Sequence, residues 1–124
     1  MTPFLLGYYI LDEHQQPVAV DDDDWATWAM WMEEARRTNT RRVAQDMDEN
    51  DTTGLKIRVS TVFLGLDHGF YHGDPRPPGY KPVLWETMVF GGVLDGEQDR
   101  YTSLDDAIRG HQDMCRRVSE TIHR

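Results

Sequence analysis

The stretch LKIRVSTVFLGL, residues 55–66, decides how the rest of the chain is read. Ile57, Val59, Thr61 and Phe63 fall on one side of it at a period of two, the spacing of a β-strand. Val62 and Leu64 enrich the other side, so the later half predicts a strand covered on both faces and central in a sheet. Upstream, ENDTTG at 49–54 supplies a polar turn, and RRVAQDMD at 41–48 alternates loosely, with Val43, Gln45 and Met47 opposed to Ala44 and Asp46. The two arms read as a hairpin, with a continuing helix as the alternative for the first arm. Downstream, VLWETMVFGG at 83–92 is a further strand, and LDGEQDRYTS at 94–103 is a polar connection with room for a short edge strand around 100–102. GYYILDEHQQPVAV at 7–20 has two apolar runs around a polar cluster with Pro17, which predicts another hairpin.

Two segments carry helical periodicity instead. In WATWAMWMEEARR, residues 25–37, Trp25, Trp28, Ala29, Met32 and Ala35 share a face with Trp31 at its edge, and Arg36 and Arg37 fall in the last turn. The aspartates at 21–24 stand directly before it and are expected to cap its free N–H groups. In the segment 103–124, Ser103 and Asp106 have capping-box spacing, and Leu104, Ala107, Ile108, His111, Met114, Cys115, Val118 and Ile122 repeat near 3.6. Gly110 weakens that helix by about 1 kcal/mol relative to alanine, and is expected to admit a close backbone neighbour. The expected fold is α+β: one domain over residues 1–124, with an antiparallel sheet of about four to six strands and two amphipathic helices on one face.

Composition narrows the function classes. The 124 residues carry a net charge of -9, which repels nucleic acid and anionic membrane and suits a basic partner. No apolar run approaches the ~20 residues that span a bilayer. The N-terminal segment lacks a basic region, so it does not resemble a secretory signal. A single cysteine, Cys115, excludes an internal disulfide framework and any cysteine-rich zinc cluster, and a reducing cytoplasm is the expected setting. No motif implies a cofactor.

The segments RVSTVFLGLDH, PVLWETMVFGG and LDGEQDRYTSLDDAIRGH, in that order and preceded by GYYILDEHQQPV, resemble a family of small proteins encoded in tailed-phage and prophage genomes. The proline-rich stretch at 71–82 and the four aspartates are less typical of it. The resemblance implies an accessory protein that acts inside an infected or lysogenic bacterium by binding a host or defence protein, and it implies no catalytic residues.

Candidate sites follow from residue type and place. DHGFYHGDPRPPGYKP, residues 67–82, holds four prolines and three glycines and reads as a long loop, the kind of segment that often carries function. His68 and His72 have the four-residue spacing of a helical metal pair, but the surrounding glycines argue against a helix, so the expected role of Asp67 and His68 is to turn the strand end, with an imidazole on a backbone carbonyl. Glu86 shares a face with Leu84, Met88 and Phe90 and, if buried there, needs a partner; Arg58 and Arg100 are candidates. His111 lies on the apolar stripe and is expected to point at the sheet, where a nearby carboxylate would make it a candidate for proton chemistry. Asp67, His68, Glu86 and His111 would make one hydrolytic or metal-dependent cluster if the last helix crossed the strand ends. The favoured reading is a binding module, contacting a bacterial protein or a second copy through Trp31, Phe70, Tyr71 and Tyr80. Ordered acidic residues mimicking DNA form a third reading.

Overall fold

Antiparallel pairing and helix packing together give the α+β class that periodicity predicts, but the strands divide between two sheets. The computed structural model describes residues 7–69 and 78–123. Within them the chain gathers into two compact units, crossing from one to the other between residues 41 and 42, 63 and 64, and 84 and 85. Among the described residues no helix is long and apolar enough to cross a membrane.

The first unit pairs β1 (Tyr8–Leu11) with β2 (Pro17–Val20) as the expected hairpin, and packs α1 (Trp25–Thr38) against it. Trp28 is the anchor: its ring lies 4.7 Å from that of Tyr8 and its Nε1 donates to the Gly65 carbonyl at 2.9 Å. A Cβ at Gly65 would stand 2.6 Å from the Met32 sulfur, and the residue has φ +79°, so glycine is required there on both counts. Trp25, expected on the packed face, is 58% exposed instead. It is the first residue of the helix. The aspartates also differ from expectation. Asp22–Asp24 form a 3-10 turn, neither the Asp21 nor the Asp24 side chain accepts a cap bond, and Asp24 takes the Thr27 hydroxyl at 2.7 Å. All four place negative charge at the positive end of the helix. The helix closes on Asn39 in the left-handed region, as a Schellman-type end requires.

The second unit is a four-stranded sheet in the order β3 (Arg42–Glu49), β4 (Lys56–Phe63), β5 (Trp85–Phe90) and β6 (Gln98–Tyr101), with α2 (Leu104–Ile122) on one face. The central position of β4 is the one its two-sided pattern predicts. The core lies between β4, β5 and α2, formed by Ile57, Val59, Val89, Met114 and Val118. The single sheet bearing both helices is therefore corrected to a helix for each sheet. Ser103 caps α2 as expected, its Oγ accepting the Asp106 N–H at 3.1 Å. Ile108, placed on the inner stripe by its spacing, is exposed because the stripe centres on Ala107, His111, Met114 and Val118.

Gly110 faces a side chain and not a backbone: a Cβ there would overlap the Tyr101 ring and hydroxyl. Helix propensity alone favours Gly110→Ala by about 1 kcal/mol. Overpacking costs about 1–3 kcal/mol, and the displaced ring also loses its hydrogen bond. Gly110→Ala is therefore expected to lower stability, read as a fall in the urea midpoint.

Candidate functional site

Register places a chain of polar side chains beneath α2. Thr61 of β4 is paired across the sheet with Thr87 of β5 and with Ala44 of β3, and Asp46 stands opposite Val59. Because side chains alternate, Asp46, Val59, Thr61, Thr87 and Val89 face α2, and His111 descends from the helix among them. Its Nδ1 lies 2.7 Å from Thr61 Oγ1, and its Nε2 lies 2.7 Å from Asp46 Oδ2. Thr61 Oγ1 is 2.5 Å from Thr87 Oγ1, which accepts the Tyr101 hydroxyl at 3.0 Å.

Counting protons gives the chain a direction. A carboxylate only accepts, so Nε2 of His111 donates to Asp46. In the neutral ring Nδ1 is then an acceptor and takes the Thr61 proton. Thr61 in turn accepts from Thr87, and Thr87 from Tyr101. Each hydrogen is used once, from Tyr101 through Thr87, Thr61 and His111 to Asp46.

The order hydroxyl, imidazole, carboxylate is also the connectivity of a nucleophile, its base and an orienting acid. Exposure runs the wrong way for that use. Thr61 is 0% exposed and shares its oxygen with Thr87, whereas 65% of the Asp46 side chain is exposed. A substrate reaches the acid end and never the hydroxyl.

The exposed end opens into a cavity of about 450 Å³ between β3 and α2, lined in part by Asp46, Asp48, Val59, His111, Cys115 and Ser119. His111, Cys115, Ser119 and His123 follow one another at four-residue intervals along α2 and its end, so they share the side of the helix that looks toward β3. Asp48 accepts from His123 Nε2 at 2.9 Å, which lowers the Asp48 carboxyl and raises the His123 imidazole. Cys115 Sγ lies 3.7 Å from Asp46 Oδ2. Burial, followed by the Asp46 charge and hydrogen bond and the Asp48 charge, pushes the thiol up to about 11.

The other predicted residues lie elsewhere. Glu86 points from the sheet face opposite α2 and pairs with Arg100 at 2.9 Å, one of the partners expected for it, so it does not meet His111. Asp67 and His68 belong to the first unit. Asp67 accepts the N–H groups of Gly69 and Val83 at 2.8 Å and the Tyr80 hydroxyl at 2.5 Å, so one carboxylate ties these three residues together. His68 Nδ1 donates to the Leu66 carbonyl at 2.8 Å, the backbone bond expected of it, which occupies one of the nitrogens a metal would use. Tyr80 is half-buried on Asp67, and Trp31 is half-buried on α1. Phe70, Tyr71 and His72 lie outside the described residues. The residues that the sequence reading missed are Asp46, Thr61, Thr87 and Tyr101 as partners of His111; the pairing of Ala44 with Asp46 on one side of 41–48 was the one available signal.

Comparison of the chain with known protein-family models, curated proteins and solved structures found no match.

Two outcomes follow from this geometry. Thr61→Val keeps the side-chain shape but strips two buried groups of a partner, so stability is expected to fall by about 1–3 kcal/mol in chemical denaturation. With its thiol near 11, Cys115 is expected to react with iodoacetamide at pH 8 roughly a hundredfold more slowly than a free cysteine, its rate still climbing above pH 9. Asp46→Asn is expected to raise that rate.

Proposed function

We propose that the chain is a binding module, a small phage- or prophage-encoded accessory protein that engages a bacterial host or defence protein through the sheet face opposite α2. The supporting observation is a row across three strands, in which Met47 is paired with Arg58 and Arg58 with Phe90. Met47 is 56% exposed and Phe90 39%, and the Arg58 guanidinium lies 4.3 Å above the Phe90 ring centroid. At an exposed site such stacking contributes about 0.5–1 kcal/mol. That is enough to favour an arginine laid flat over the ring and too little to close the face. Leu55, just before β4, and Val93, just past β5, are exposed at the same end of the sheet.

Methionine, aromatic residues and arginine are the types enriched where interfaces are most buried, and a few of them carry most of the binding energy. Arg58 would meet a carboxylate of the partner, while the acidic remainder of the surface orients a partner of opposite overall charge. The same charge of -9 opposes a second copy on this face. Hydrolysis by Asp67, His68, Glu86 and His111 has less support, since Glu86 and His111 occupy opposite faces of one sheet.

The test is capture from bacterial lysate followed by calorimetry with the purified partner. Phe90→Asp is expected to weaken binding by about 30-fold or more, the loss of one strong anchor. Trp25→Ala, at an exposed aromatic on α1, is expected to leave it unchanged. Full-strength binding by Phe90→Asp refutes the assignment, and dimerisation seen in sedimentation and lost in Phe90→Asp would make the partner a second copy.

A further inference from the structure

We propose that Asp46, His111 and Cys115 form a binding site for a divalent transition metal of borderline softness, best matched by zinc, with one coordination position left open toward the cavity between β3 and α2. This does not depend on the partner reading, which concerns the opposite face of the sheet.

The donor atoms are already gathered. Asp46, His111 and Cys115 each offer a donor atom within 4.8 Å of the other two. Zinc bonds nitrogen and oxygen at about 2.0–2.2 Å and sulfur at about 2.3 Å, so donors on a tetrahedral ion stand about 3.3–3.6 Å apart. The observed edges are 2.7 Å between His111 and Asp46 and 3.7 Å between Cys115 and Asp46. Of these two edges the Asp46–His111 one must lengthen, and Asp46 is the exposed member of the three. His111 and Cys115 are one helical turn apart, the spacing that brings two ligands to one ion from a single helix.

A second observation points the same way. A metal-bound histidine characteristically gives its other ring N–H to an oxygen that fixes its orientation. Thr61 Oγ1 stands 2.7 Å from Nδ1, wholly buried, and is held from behind by Thr87. On metal binding, Nε2 loses its hydrogen bond to Asp46 and becomes the ligand, and the ring proton moves to Nδ1. Thr61 then accepts from the imidazole and donates to Thr87, so the direction of the chain reverses. The Cys115 S–H bond breaks, its electron pair goes to the metal, and one proton leaves to solvent. Asp46 and Asp48 line the same cavity as the thiol, so a dication held there meets the negative charge of both. One nitrogen, one sulfur and one carboxylate suit zinc or cobalt(II) far better than magnesium or calcium, which require a shell of oxygens.

The experiment uses the untagged full chain, stripped with a chelator and titrated with zinc by calorimetry and with cobalt(II) by absorption. One equivalent of each is expected to bind, with a thiolate-to-cobalt charge-transfer band and release of one proton per ion. Nitrogen NMR is expected to show the His111 proton moving from Nε2 to Nδ1. Cys115→Ser is expected to abolish the band, and Thr61→Val, which would touch no metal, to weaken zinc binding by about 10- to 100-fold. Asp46→Asn, which keeps an oxygen able to accept from His111 Nε2 in the metal-free fold, is expected to weaken it as well. No saturable uptake, or one-equivalent uptake that persists unchanged in both Cys115→Ser and Asp46→Asn, overturns the site.

Discussion

An imidazole sunk beneath a helix must have both its nitrogens met, and the second unit is arranged around that requirement. Tyr101 comes from β6, Thr87 from β5, Thr61 from β4, His111 from α2 and Asp46 from β3, so one chain of hydrogen bonds passes through every strand and helix of the unit. Each bond contributes only about 1 kcal/mol net, but a buried donor or acceptor left unmet costs about 1–3 kcal/mol. The chain therefore acts more on specificity than on total stability. A one-residue slip between β4 and β5 would set Ser60 or Val62 against Thr87 and break the Thr61–Thr87 hydrogen bond. The aliphatic core beside it, Ile57, Val59, Val89, Met114 and Val118, tolerates a slip no better, since those residues share the same faces.

Much of this was legible in residue type and spacing. Alternation along 57–63 placed β4 at the centre, a 3.6 period placed His111 on the inner side of α2, and Ser103 with Asp106 marked where that helix begins. What could not be read was which strand would face the imidazole. Asp46 sits among Gln45, Met47 and Asp48 on an edge strand, and from composition it looks like a solvated acid. Its identity as a partner depends on pairing across 65 residues of sequence, a distance over which periodicity carries no information. Glu86 misled for a related reason. Leu84, counted as its buried neighbour, precedes β5 and is buried in the other unit, whereas on the strand itself the buried residues are Trp85, Thr87 and Val89. Trp25 shows the same limit for helices: a wheel assigns a face, but whether anything lies opposite a terminal turn is settled by the fold.

The two faces of the sheet are chemically distinct. Toward α2 a chain of polar groups is spent on one another and opens to solvent at its Asp46 end, where a thiol, a carboxylate and an imidazole meet. On the far side Glu86 and Arg100 pair, and Met47, Arg58 and Phe90 lie in an exposed row. In the first unit Asp67 has a different task. Among the described residues its carboxylate takes the N–H groups of Gly69 and Val83 and the Tyr80 hydroxyl, so a residue that composition alone would offer to catalysis is occupied in holding backbone and a tyrosine together.

The pairing of β3 with β4 contains one irregularity, between Arg42 and Ala44, where the register shifts by a residue. It falls before the carboxylates and after the start of the strand, and so resets the odd–even count along β3. Downstream of it Ala44, Asp46 and Asp48 look inward and Gln45, Met47 and Glu49 outward. The extra residue thus works as a phase shifter: it decides whether the acids of this strand serve the imidazoles of α2 or are given up to water.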